Sequence, residues 1–163
     1  HKPIQEFIDE NIPRPPKYIE NEIHFKNLFS SNKDLRIKTA KYFSKIARQE
    51  RSGFLEFPFS YPKTFERLFP ALNEKEPKVV RDIIITLGAA YNHHFKHYEV
   101  YERLSPFFYS KNSELRYYAI VWTRRIENKE KLDTLKSLLN QKQPKKIKEI
   151  LTKYIQDKET ELE

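Results

Sequence analysis

Phe65-Glu66-Arg67-Leu68-Phe69-Pro70 is followed 36 residues later by Tyr101-Glu102-Arg103-Leu104-Ser105-Pro106. An aromatic ring leads both stretches, and Glu, Arg, Leu and Pro are identical, so the chain carries an internal repeat. Working outward, an offset of 31 places Leu132, Leu135 and Leu139 on Tyr101, Leu104 and Phe108, and an offset of 80 pairs Asp34-Leu35-Arg36 with Glu114-Leu115-Arg116. Periods of this length are those of helix-turn-helix units that bury their apolar faces against their neighbours.

The apolar residues around these anchors recur at helical spacing. Ile23, Leu28 and Phe29 precede Leu35, Ala40, Phe43, Ile46 and Ala47. Phe65, Leu68, Phe69 and Leu72 precede Val80, Ile83, Ile84 and Leu87. Tyr101, Leu104, Phe107 and Phe108 precede Leu115, Ala119, Trp122 and Ile126, and Leu132, Leu135, Leu138 and Leu139 precede Ile147, Ile150, Leu151 and Ile155. Short polar turns at 31–34, 73–76, 110–113 and 140–143 join the members of each pair. Pro77 and Pro144 sit where a second helix should start, a position that tolerates a missing N–H. Two glycines in 163 residues leave little material for strand hairpins. The expected fold is all-α: a single domain over 1–163, with four helical hairpins over 18–158. Residues 1–17 form an N-terminal cap (Ile4, Phe7, Ile8) and a Pro-rich connector, Pro13-Arg14-Pro15-Pro16, and residues 159–163 a tail.

These features resemble the HEAT-repeat family: a proline inside the first helix (Pro70, Pro106), an acidic-x-Arg opening of the second (Asp34-Leu35-Arg36, Glu114-Leu115-Arg116), and Val79-Val80-Arg81 with Leu87-Gly88 downstream. The resemblance covers about residues 20–155 and implies an α-solenoid. Repeat one lacks the proline and repeat four the arginine, as units that cap a stack often do.

Composition narrows the chemistry. Twelve Phe and ten Tyr supply rings for a core, and no apolar run has the roughly 18 residues of a membrane span. Zero cysteines exclude disulfides and thiolate nucleophiles, and a cytoplasmic location is expected. No charged-apolar-small leader opens the chain; His1 and the closing Leu162-Glu163 read as the ends of a trimmed chain, which leaves open a fragment of a longer scaffold. No Gly-rich phosphate loop or nucleophile elbow is present, and no cofactor is implied. Glu74 with Glu76 and Glu159 with Glu161 read as solvated turn and tail carboxylates without the apolar enclosure an acid catalyst needs. His93 and His97 stand at i and i+4, with His94 where a zinc-protease signature needs glutamate, so a titrating cluster is expected there and no metal site. Gly53 to Pro62, with five large apolar or aromatic residues, reads as a loop folded over the core or as a binding surface.

Charge then points to a partner. The net charge is +8, yet residues 1–24 sum to −2 and the last five to −3, so the excess sits in the helical pairs. Lys38, Lys41, Lys45 and Arg48 recur at i+3 and i+4 and form one cationic stripe on the second helix of the first pair. Second helices of HEAT units line the concave surface, so the resemblance implies that Arg81, Arg125, Lys145 and Lys148 extend that face. Arg36, Arg81 and Arg116 are expected to tie adjacent units together. Tyr42 and Trp122, equivalent under the 80-residue offset, are expected in packing, with Trp122 also a candidate anchor for a partner. The expectation is a non-enzymatic binding module that grips an acidic protein, an adaptor or an inhibitor of the kind found among bacterial immunity proteins of this resemblance; the Lys, Asn, Ile, Tyr and Phe richness fits an AT-rich bacterial genome. The alternative is a nucleic-acid-binding protein like the alkylation-repair DNA glycosylases, which share the architecture. Both predict salt-sensitive affinity. Oligomeric state is not legible.

Overall fold

The computed structural model describes residues 16–49, 63–93 and 97–162, and every regular element among them is helical. Residues 1–15, His94 and the loop 53–62 lie outside the described residues. The first pair is α1 (Pro16–Leu28) and α2 (Lys33–Gln49). The second is α3 (Lys63–Leu68), continued by a 3-10 segment (Phe69–Asn73), and α4 (Pro77–His93). The third is α5 (Glu99–Leu104), continued by a second 3-10 segment (Ser105–Tyr109), and α6 (Ser113–Trp122). The last is α7 (Lys131–Leu139) and α8 (Lys145–Glu161).

Asparagine starts two of the second helices. Asn32 Oδ1 accepts from Leu35 N at 3.1 Å, and Asn112 Oδ1 accepts from Glu114 N and Leu115 N at 3.0 and 3.2 Å. In both turns a serine hydroxyl accepts from that asparagine's own N–H, Ser30 from Asn32 and Ser110 from Asn112, each at 3.1 Å. Arg36 Nη1 donates to Ser30 O at 2.8 Å, and Arg116 Nη1 to Ser110 O at 2.6 Å. The 80-residue offset therefore recurs in the hydrogen bonds as well as in the residue types.

Both repeated prolines mark a change of helix type. Pro70 and Pro106 each stand second in a 3-10 segment that continues α3 or α5. A proline has no N–H to give and its ring crowds the preceding turn, so the α-helical ladder stops there. Leu68, Leu104 and Leu135, the leucines of the repeated motif, are 1%, 0% and 2% exposed; burying each contributes about 1.5–3 kcal/mol. The motif's arginine also has a repeated task. The Arg67 guanidinium lies 3.8 Å from the Phe25 ring of the preceding pair, and that of Arg103 lies 4.8 Å from Phe69. Arg67 in addition holds Glu22 of α1 by two hydrogen bonds, at 2.6 and 3.0 Å.

The second helices touch in chain order: α2 packs on α4, α4 on α6 and α6 on α8, and each first helix or its 3-10 continuation packs on the second helix that follows. α4 and α6 approach closely at Gly88 of α4, where a Cβ would stand 2.5 Å from Trp122 O and 2.6 Å from Trp122 Cβ. Phe43, Phe65, Phe108, Ile83, Ile84 and Leu87 lie in one shared core.

The structure corrects several expectations. Ile23 and Phe29, read as core positions of the first helix, are each 51% exposed, and the buried ring is Phe25. α1 begins at Pro16, so the connector ends sooner than residue 17. Glu74 and Glu76 are not solvated carboxylates: both are largely covered, Glu74 bound to Arg36 and Glu76 3.8 Å from Lys33.

Candidate functional site

α2 is amphipathic because Ala40, Phe43, Ser44 and Ala47 turn inward at helical spacing while Lys38, Lys41, Lys45 and Arg48 are exposed. Lys38, Lys41 and Lys45 make no ion pair among the described residues, and Arg48 Nε donates to Ser44 O within its own helix at 3.2 Å. The neighbouring charges are committed elsewhere. Buried Asp82 accepts from Ser44 Oγ and from Arg81 Nη2, each at 3.3 Å, and Arg81 Nη1 donates to Glu114 at 3.2 Å. Arg81, expected on the binding face, thus spans α4 and α6.

The remaining predicted residues are dispersed. Arg125, Lys145 and Lys148 are exposed, with Lys145 Nζ 4.0 Å from Glu149 one turn along. Trp122 is half-buried and packs on the core, its backbone pressed against Gly88. Tyr42 stacks on His24 with ring centroids 4.0 Å apart. His97 lies against Phe65 and Phe69, and its Nδ1 accepts from Glu99 N at 3.2 Å. Among the described residues no group of three or more His, Asp or Glu is placed to hold a metal ion.

Shallow hollows open between helices among the described residues. One, of about 460 Å³, includes Glu127, Leu132, Asp133, Lys158 and Leu162 in its wall, and Lys158 Nζ there donates to Glu127 at 3.0 Å. Another, of about 400 Å³, lies between the first turns of α6 and α8; its wall includes Ser113, Tyr117, Tyr118, Pro144, Lys146 and Ile147. Lys146 Nζ stands 3.9 Å from the Tyr117 ring centroid, a cation over a π face.

The chain matches no family model, no curated protein and no solved structure. No helix among the described residues is long and apolar enough to cross a membrane. What the chain can do therefore rests on its own geometry.

One group escapes the sequence reading. Lys131 looks like any surface lysine at the start of a helix, yet it is 4% exposed. Its ammonium donates to the carbonyls of Thr123 (2.9 Å), Ile126 (3.0 Å) and Arg124 where the chain leaves α6. Burial pushes it down to about 8. Arg116, expected to tie adjacent units, donates instead to Ser110 O in the turn before its own helix, and its Nε is buried without a hydrogen-bond partner among the described residues. Its identity with Arg36 was visible in the sequence; the absence of an acid in the turn that follows is the signal that separates them.

Proposed function

We propose that the chain is a HEAT-like α-solenoid of four hairpins, a non-enzymatic module that binds an acidic protein through the cationic face of its second helices. The carrying observation is the exposed run Lys38, Lys41, Lys45 and Arg48, whose three lysines make no ion pair among the described residues. By contrast Arg36, Arg67, Arg81, Arg103 and Lys158 are each paired to a carboxylate. Charges spent within the fold hold pairs of helices together, whereas unpaired ones at i+3 and i+4 create a field that a complementary surface can meet. The ordered contacts α2–α4–α6–α8 support the stacked architecture, which would present these helices on one side.

An adaptor or inhibitor role follows from this reading, because such a surface grips without converting its ligand. The test is fluorescence anisotropy with labelled poly-glutamate and, separately, a labelled DNA duplex at physiological salt. Tighter binding of poly-glutamate, weakening steeply as salt rises, is the expected result; tighter binding of the duplex would favour phosphate recognition instead and overturn the proposal.

A further inference from the structure

Rings line the hollow between the first turns of α6 and α8. Tyr117 and Tyr118 meet edge to face, with centroids 5.4 Å apart and planes at 85°, and Pro144 and Ile147 complete the wall from α8. Both tyrosines pack on the core and are half-buried, so the rings are held in place while part of each stays open to solvent. At about 400 Å³ the hollow has room for one large apolar side chain.

Cations crowd its rim. Residues 134–148 hold five lysines and no acid. Lys145, Lys146 and Lys148 stand in the opening turn of α8, and Lys111 lies two residues before the wall residue Ser113; all four are exposed. Lys111, Lys146 and Lys148 make no ion pair among the described residues, and Lys145 Nζ has Glu149 at 4.0 Å. Glu114, the carboxylate in the wall, is drawn to Arg81 at 3.2 Å.

We infer that this hollow is a docking site for an acidic peptide segment that carries one aromatic anchor. The anchor's ring enters between Tyr117, Tyr118 and Ile147, and the carboxylates that flank it meet Lys111, Lys145 and Lys148. Burial of the ring supplies affinity, and the charged rim selects which rings are admitted. A nucleobase is served less well, because stacking needs a bare π face. The Lys146 ammonium occupies one face of Tyr117 at 3.9 Å, and Tyr118 stands nearly perpendicular to that ring. A strand with a phosphate at every nucleotide also meets Glu114, whereas a peptide places its uncharged ring there. The site stands on the α6–α8 hollow and does not rest on the α2 stripe.

The test compares two blocked peptides, Glu-Glu-Phe-Glu-Glu and penta-glutamate, by aromatic ¹H–¹³C NMR, with the rings assigned through Tyr117→Phe and Tyr118→Phe. The phenylalanine peptide should move both tyrosine rings and bind at least about tenfold more tightly than penta-glutamate. Ser113→Trp, at an exposed position in the wall, fills the hollow without changing charge and should weaken the phenylalanine peptide about tenfold. Lys145→Glu/Lys148→Glu should do the same from the rim. Lys41→Glu/Lys45→Glu should leave the ring movements intact, so failure of the stripe and failure of the hollow are told apart. Equal affinity for the two peptides decides against the inference in the parent protein, whatever the variants do. Unmoved tyrosine rings, full binding in a folded Ser113→Trp variant, or ring movement by a five-nucleotide single-stranded DNA at lower concentration than by the peptide would also overturn it.

Discussion

Arg36 and Glu74, 38 residues apart, are joined by two hydrogen bonds of 3.1 Å with both side chains 18% exposed. Water is largely kept from the pair, so its charges are screened less than those on the surface and its removal leaves a covered ion behind. Glu74→Gln, which gives the second turn one of the fourth turn's residues, should lower stability by about 1.5–3 kcal/mol in urea melts. A double-mutant cycle at Arg36 and Glu74 should couple more strongly than one at Arg103 and Glu99, which are half exposed and are expected to couple by less than about 0.5 kcal/mol.

Gly88 is required for a spatial reason. Its missing side chain lets α4 approach the backbone of Trp122, and a methyl group would stand 2.5 Å from the Trp122 carbonyl oxygen. Backbone cannot swing aside as a flexible side chain can. Gly88→Ala should therefore cost about 2 kcal/mol or more, against the stabilisation that alanine normally gives inside a helix. A rise in thermal midpoint on this substitution would show that α4 and α6 do not meet as described.

Lys131 links stability to pH. Its folded value of about 8 lies below the ordinary 10.5, so below pH 8 both states carry the proton, and between about 8 and 10.5 the unfolded chain binds more of it. Stability should accordingly rise with pH through that window, because the cost of burying the charge is lifted. Tyr101 and Tyr154, raised by burial, act with the opposite sign but only above the ordinary phenol range near pH 10. The check is urea unfolding from pH 7 to pH 10, with the lysine Nζ followed by NMR; a Lys131 titrating with the other lysines would contradict the account. At pH 7, Lys131→Met leaves three carbonyls without their donor and should cost about 1–3 kcal/mol.

Much of this arrangement is legible in the sequence, and the exceptions have physical causes. Asn32, Asn112, Pro77 and Pro144 mark the starts of the second helices because cap and first-turn chemistry is local. The motif Glu-Arg-Leu-x-Pro marks the first helices because Leu68 and Leu104 answer to the same core. Ile23 and Phe29 were misplaced because apolar spacing does not say which of two adjacent faces is covered; Phe25, between them, carries the burial. Glu74 reads as a surface charge and Lys131 gives no signal at all, because what covers them comes from 38 residues away and from the end of α6, distances over which a charge in a turn gives no sign of its partner. For the site, the stripe on α2 follows from spacing alone, whereas the engagement of Arg81 depends on the glutamate that opens the next second helix.

Charge reversal on α2 removes the cations proposed to meet an acidic surface. Lys41→Glu/Lys45→Glu alters two exposed side chains, so helicity and thermal midpoint should stay near those of the parent. The affinity for poly-glutamate at physiological salt should fall at least about tenfold, with a shallower dependence on salt. Undiminished affinity and an unchanged salt dependence in a variant that folds normally would mean that the α2 stripe is not the binding face.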